Sequence, residues 1–306
     1  MSLLDQAIAQ TVNPVNTINP ALPTQAANES NLETTTDFYG NKHELFTVEE
    51  HNLTSHYGTI PNKKGLFVNG QNINIVSDRY EVHQPKDIAK QFYNATQSQG
   101  LEVNRCIANP NNGGLLLSAK YSNQIVGGDS TDINLTFYTS HDGKYKTFLS
   151  LDTLRIACFN QLPILYKNKD RFIFAEKHYK NALDIERIGQ FIAGIPASVG
   201  QHNDKLNALK ETKLSLADLT DLFIEHYKLK KEQKQFQTKV DAFKSMYYNA
   251  PGQAIAPHNT AYKALQAITY RNTHEGRKTA MQEENRLIKG GNDSLEWLDN
   301  LLELSA

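Results

Sequence analysis

Ile133-Asn134-Leu135-Thr136-Phe137-Tyr138-Thr139-Ser140-His141-Asp142-Gly143-Lys144-Tyr145-Lys146-Thr147-Phe148-Leu149-Ser150-Leu151 decides the fold class. Apolar residues fall at alternate positions before the Asp-Gly pair and recur after it, the period of a strand with one face in a core. Asp-Gly accepts positive φ at both positions, the requirement of a two-residue hairpin turn. A turn at Asp142-Gly143 predicts Phe137 opposite Phe148 and Leu135 opposite Ser150, gathering Ile133, Leu135, Phe137 and Phe148 on one face. Asn69-Gly70 predicts a second hairpin, with Val68 opposite Gln71 and Leu66 opposite Ile73, and with Leu66, Val68, Ile73 and Ile75 sharing a face. Between the hairpins, Ile88, Phe92 and Ala95 lie at helical spacing within Pro85 to Gln99. Strands are expected near Leu101 to Ala108 and Leu115 to Tyr121, around an Asn/Pro/Gly loop. The expectation is an α+β fold: an antiparallel β-hairpin sheet packed with helices, followed by a mostly helical C-terminal region.

Outward from that core, a helix is expected to open near Asp152, placing Arg155 beside Cys158 over a stripe of Leu151, Leu154, Cys158 and Leu162, with Asn160 at its end. In that setting Cys158 reads as a small core residue. After Pro163 the pattern is helical to the end. Ser215 with Asp218 forms a helix start, Phe236, Val240, Phe243 and Tyr247 make a stripe, and Pro251-Gly252 interrupts the run. Asn259 is expected to cap a helix through Tyr270, and Asp293 with Glu296 a last helix carrying Leu295, Leu298, Leu301 and Leu302. The organisation expected is an arm over 1–45, disordered or partner-dependent and holding Pro14, Pro20 and Pro23; an α+β core over 54–200; a helical region over 201–292; and an acidic amphipathic tail helix over 293–306.

The chain has 306 residues, 39% of them hydrophobic, enough for a sizeable core. Its longest apolar stretches are too short to cross a bilayer, and Met1-Ser2-Leu3-Leu4-Asp5 has no basic region ahead of an apolar one. Two cysteines, Cys106 and Cys158, form no disulfide framework, which suits a reducing cytosol. The formal net charge of −1 hides an uneven distribution. Residues 1–53 hold seven acids against Lys42, and residues 293–306 hold four acids and no base, leaving 31 bases and 22 acids between Thr54 and Asn292. A basic middle between acidic ends suits a protein that meets a polyanion with its core, while solvated lysine faces give the same sum.

No P-loop, Gly-x-Gly-x-x-Gly, His-Glu-x-x-His or Gly-x-Ser-x-Gly is present. On the expected hairpin tip, His141, Lys144 and Lys146 project to one side and Tyr138 and Tyr145 to the other. Cations beside aromatic faces suit a single strand, whose phosphates meet the cations while its bases stack. Arg155 offers a guanidinium fork for a phosphate or for an internal carboxylate. Lys228, Lys230, Lys231, Lys234, Lys239 and Lys244, accompanied by Glu232 and Asp241, make either a solvated helix face or a phosphate-contacting one. The candidate nucleic-acid-binding set is therefore Tyr138, His141, Lys144, Tyr145, Lys146, Arg155, Lys228 and Lys231. His141, Asp142 and His178 form an alternative acid/base set. No local pair of ligands points to a metal, and no cofactor is expected.

Thr139-Ser140-His141-Asp142-Gly143, the Arg-x-x-Cys-x-Asn-x-Leu run at Arg155, Cys158, Asn160 and Leu162, His178, and Thr260-Ala261-Tyr262 with Ala267, Thr269, Tyr270 and His274 resemble the phage/plasmid-like family catalogued as domain of unknown function 932. The likeness covers about His56 to His274, with Gln266 where an asparagine is expected and Tyr262 where tryptophan is common. It implies a gene of phages, prophages or conjugative plasmids, hence the cytoplasm of a bacterial host, and supplies no activity. In architecture the expected domain also resembles the single-strand annealing proteins of the RecT, Redβ and Rad type. Three functions follow as expectations: a homo-oligomeric single-stranded-DNA-binding and annealing protein; a nucleic-acid-processing enzyme using His141, Asp142 and His178; and an interaction protein that counters host defence, with its acidic tail engaging a protein partner.

Overall fold

The computed structural model describes residues 34–36, 42–126, 129–157, 160–165, 171–178, 188–274 and 286–304. The amino-terminal arm lies outside them except for two short paired strands, β1 (Thr34–Thr36) and β2 (Lys42–Glu44). A three-stranded antiparallel sheet follows, β3 (Glu49–Ser55), β4 (Gly58–Val68) and β5 (Gln71–Ser77), in the order β3-β4-β5. Helix α1 (Pro85–Gln97) leads into β6 (Glu102–Asn109), β7 (Gly114–Val126), β8 (Asp129–Thr139), β9 (Thr147–Arg155) and β10 (Asn160–Ile164), a meander in which each strand pairs antiparallel with the next. The far edge of β9 is shared: β10 takes Leu151 to Arg155, and β11 (Phe172–Glu176) takes Thr147 to Ser150. Helices α2 (Ile188–Ile192), α3 (Ile195–Glu211), α4 (Leu216–His226), α5 (Phe236–Asn249) and α6 (Ala261–His274) come next, then a π-helical turn (Arg286–Gly290) and α7 (Gly291–Glu303). The fold is mixed α+β, with antiparallel sheets in the N-terminal half and a mainly helical C-terminal region.

The two faces of the large sheet differ. Ile133, Leu135 and Phe137 of β8 meet Leu149 and Leu151 of β9 and Leu117 and Ala119 of β7 in the main apolar cluster, which continues into α1, α3, α6 and α7 as far as Leu301. On the opposite face, Leu116, Tyr138 and Phe148 form an aromatic row with Ile288, next to a polar row of Ser118, Thr136 and Ser150. Every residue of β9 is buried. Asp152 lies on the polar side, where burial raises its pKa and the nearby Arg171 guanidinium partly offsets that.

The structure corrects several sequence expectations. Asn69 and Gly70 do form the turn, both with positive φ, and Val68 faces Gln71. A bulge between Leu66 and Phe67 then shifts the ladder, so that Leu66 faces Asn74, Val76 turns inward and Ile75 outward. The β8–β9 connection is not a two-residue turn. Tyr138 faces Phe148 and Phe137 faces Leu149, one residue off the expected register, and Phe148 moves to the opposite face from Phe137. The cause is local: Asp142 Oδ1 accepts from Ser140 Oγ and Lys144 N at 3.1 Å each, closing an Asx-type turn, while the backbone N–H of His141 donates to Asn112 O at 3.0 Å. No helix opens at Asp152. The segment is β9, covered on both sides, and its unbroken burial hides the alternation that would mark a strand. Asn160 begins β10 opposite Arg155 and caps no helix; Cys158 lies outside the described residues. The chain after Pro163 also contains β11 before the helices begin.

In the helical region the Ser215 box is present, with Ser215 Oγ accepting from Asp218 N at 3.1 Å and Asp218 Oδ2 accepting from Ser215 N at 3.1 Å. Thr260, not Asn259, serves the start of α6, its Oγ1 accepting from Lys263 N at 3.2 Å. Asp293 accepts from His226 Nε2 at 3.0 Å, Tyr227 OH at 2.6 Å and Asn272 Nδ2 at 2.8 Å, so it ties α4 and α6 to α7 instead of capping α7. Trp297, Leu298 and Leu301 of α7 are buried in the main cluster.

Candidate functional site

At the Thr147 end of β9 three imidazoles converge. His141 and His178 have ring centroids 4.8 Å apart, His83 lies 5.4 Å from His178, and Tyr80 stacks on His178 at 5.0 Å. His141 is fully buried and its hydrogen bonds fix its tautomer. Its Nε2 lies 3.1 Å from the carbonyl of His83, which accepts only, so Nε2 carries the proton and Nδ1 accepts from Tyr80 OH at 2.9 Å. Asn74 Nδ2 of β5 donates to the His141 carbonyl at 2.9 Å. His141 therefore pins the three-stranded sheet to the end of the large one. Gly113, at φ +63, makes room for it: a Cβ there would come within 3.0 Å of His141 Cβ and 2.8 Å of Ile73 Cδ1. His178 Nε2 sits 3.1 Å from Thr147 Oγ1 and 3.3 Å from Thr139 Oγ1, and these hydroxyls lie 2.7 Å apart.

Burial pushes the His141 pKa down to about 4, against the partial support of the His83 carbonyl. Burial, then the neighbouring His141 and His83 rings, push His178 down to about 3. His83 is lowered as well, chiefly by burial. Near neutrality the cluster is uncharged, able to exchange hydrogen bonds and without a cation to offer a phosphate. Asp142 is occupied by Ser140, by the backbone of Lys144 and by the Lys144 ammonium at 3.0 Å. Among the described residues no group of three or more His, Cys, Asp or Glu side chains is arranged to hold a metal ion.

At the other end of β9, Arg155 is buried in a lock. Its Nε donates to Asp129 Oδ2 at 2.6 Å, its NH2 group to Gly252 O at 3.1 Å and its NH1 group to Gln266 Oε1 at 3.4 Å. Tyr262 OH donates to the same Asp129 oxygen at 2.9 Å. Asn160 Nδ2 reaches Gln266 O, Gln266 Oε1 and Thr269 Oγ1 at 3.1, 3.2 and 3.1 Å. The Arg155 and Thr260 sequence runs thus meet in space, and Gln266 and Tyr262 both take part. The nine residues of β9 hold the lock and the histidine cluster about 25 Å apart.

The remaining candidates divide by exposure. Tyr138 is fully buried, 5.3 Å from Phe148 and 6.0 Å from the half-buried Tyr145. Lys144, Lys146 and Lys177 are exposed, the last two flanking the paired strand ends Thr147 and Glu176 in sequence. Acids stand among these lysines, with Asp142, Glu176 and Glu81 in the same neighbourhood. The stretch from the end of α4 into the first turn of α5 is different. Lys228, Lys230, Lys231, Lys234 and Lys239 are all exposed, with Glu232 as the one acid between them, and none of the five makes an ion pair among the described residues. Its backbone is held by bonds from Lys228 N to Glu225 O, Leu229 N to Ile224 O, Gln233 N to Lys230 O and Phe236 N to Gln233 O, each 2.9 Å, and by burial of Leu229.

Sequence reasoning missed His83, Tyr80 and Asp129. The first two carry no local signal. Asp129 follows Gly127-Gly128, a turn signal that places it at the start of a strand, and the pairing of Thr131 with Arg155 brings it to the guanidinium.

Among the described residues no helix is long and apolar enough to cross a membrane. Residues 72–290 match the family described as Domain of unknown function (DUF932). No curated protein and no solved structure matches the chain.

Proposed function

The chain belongs to the DUF932 family, and we propose that within it this protein binds single-stranded nucleic acid, DNA by preference, and pairs complementary strands without hydrolysing a nucleotide, in the manner of the RecT and Redβ annealing proteins. One observation carries the reading: five exposed lysines without ion pairs among the described residues, from Lys228 to Lys239 in the first turn of α5, with Glu232 as the one acid between them in sequence. Such a cluster favours phosphates by releasing their counterions, and its affinity falls steeply with salt. Several copies side by side would extend a row of such connections along one strand.

Fluorescence anisotropy with labelled single- and double-stranded oligonucleotides, titrated with salt and repeated with chelator, tests the proposal. Tight, salt-sensitive, chelator-indifferent binding that favours single strands is expected. Changing Lys230, Lys231 and Lys234 together to glutamate weakens it by at least about tenfold with the circular dichroism spectrum unchanged. Unaltered affinity in that variant overturns the assignment. A second reading, an enzyme acting on nucleic acid, has in its favour the convergence of His141, Asp142 and His178; it requires conversion of a labelled oligonucleotide, which the binding reading does not.

A further inference from the structure

Helix α3 presents Ser198, Gln201, His202 and Lys205 on one side, at the spacing of a single helical face. They line a small, half-open cavity closed by Leu165 beyond β10 and by Leu295 and Leu298 of α7. The space takes one water-sized group.

One buried nitrogen of its polar wall is unsatisfied. His202 is buried, 4% exposed, and its Nε2 has no hydrogen-bond partner. Lys205 is half-buried and close enough to act on that ring electrostatically, and it makes no ion pair among the described residues. The Gln201 amide at the rim makes no hydrogen bond among them either. Ser198 is engaged, its Oγ donating to Gly194 O at 2.9 Å. An orphaned buried nitrogen is costly to leave unmade; in the tautomer that carries its proton on Nε2 the ring calls for an acceptor, and the ammonium beside it favours one bearing negative charge. A metal cation is disfavoured by Lys205, and the apolar wall of Leu165, Leu295 and Leu298 leaves the donors on one side only.

We propose that this cavity is an oxyanion site: one oxygen of a phosphate group enters it, accepting from His202 Nε2–H and paired with the Lys205 ammonium, while Gln201 holds a second oxygen at the mouth. The site is separate from the lysine connection and does not depend on it. The phosphate is either free in solution or carried on a strand, and the two sources are separable by experiment.

The full chain labelled at histidine is observed by NMR at neutral pH, with the His202 ring identified by its loss in His202→Gln. Sodium phosphate is expected to shift the His202 signal saturably, and sodium chloride at equal ionic strength to leave it in place. Lys205→Gln weakens that response by about tenfold or more and Gln201→Ala by about threefold, with the other histidine signals unmoved as the check on folding. A short oligonucleotide that moves the signal where inorganic phosphate does not assigns the same oxyanion chemistry to a strand. No shift with either probe, or an equal shift with chloride, means that the cavity holds water alone and overturns the proposal.

Discussion

The two ends of β9 bury comparable numbers of polar side chains in different ways. At the Arg155 end a permanent cation is neutralised by Asp129 and its remaining donors are spread over Gly252 and Gln266. At the Thr147 end the buried imidazoles carry no charge near neutrality to be neutralised: His141 and His178 stay uncharged and trade hydrogen bonds with Tyr80, Thr139, Thr147 and the His83 carbonyl. The first arrangement fails when a partner is removed. The second fails when a proton is added.

Arg155→Ala removes the permanent cation at one end of β9. It leaves Asp129 half-enclosed without its counter-ion, and stability in chemical denaturation is expected to fall by about 3–5 kcal/mol. Arg155→Lys should recover only part of this, because an ammonium cannot serve Asp129, Gly252 and Gln266 together. The histidine end is tested by pH. An unfolded imidazole takes up its proton near 6.5, whereas folded His141 resists to about 4 and His178 to about 3. Between those values the unfolded chain binds more protons, so the stabilisation is complete above 6.5 and is lost as pH falls toward 4, on the order of 3 kcal/mol for a shift of His141's size. Denaturation midpoints measured across that range should fall with acidity, and His141→Gln should flatten the slope. A double-mutant cycle between Asn160 and Gln266 probes the lock itself; a coupling of about 1 kcal/mol is expected, and additivity would show that the bond between their side chains adds nothing to it.

What was legible in the sequence was local. Asn69-Gly70 specifies its turn through backbone geometry confined to two residues, and Ser215 with Asp218 specifies a helix start within one turn. The Asp142-Gly143 register was misread because Asp142 uses its side chain to bend the backbone and His141 is drawn to Asn112, so the loop runs longer than the dipeptide implies. The second half of β9, from Asp152 on, passed for a helix because burial on both faces removes the alternation of a half-exposed strand. The sites were least legible. Arg155 meets Gln266 across 111 positions and Tyr262 meets Asp129 across 133, and no periodicity spans such distances. The sequence marked Arg155 as consequential and left open whether its anion was external or internal; Asp129 is an internal one.

Helix α7 closes a core that the strands open. Trp297, the single tryptophan, together with Leu298 and Leu301, completes the apolar cluster begun by Ile88 and Phe92 of α1. On a ribosome the sheet is made first and must wait, with its apolar face partly uncovered, until α7 has left the exit tunnel. Emergence of α7, and not completion of the sheet, is the step at which this core becomes able to close.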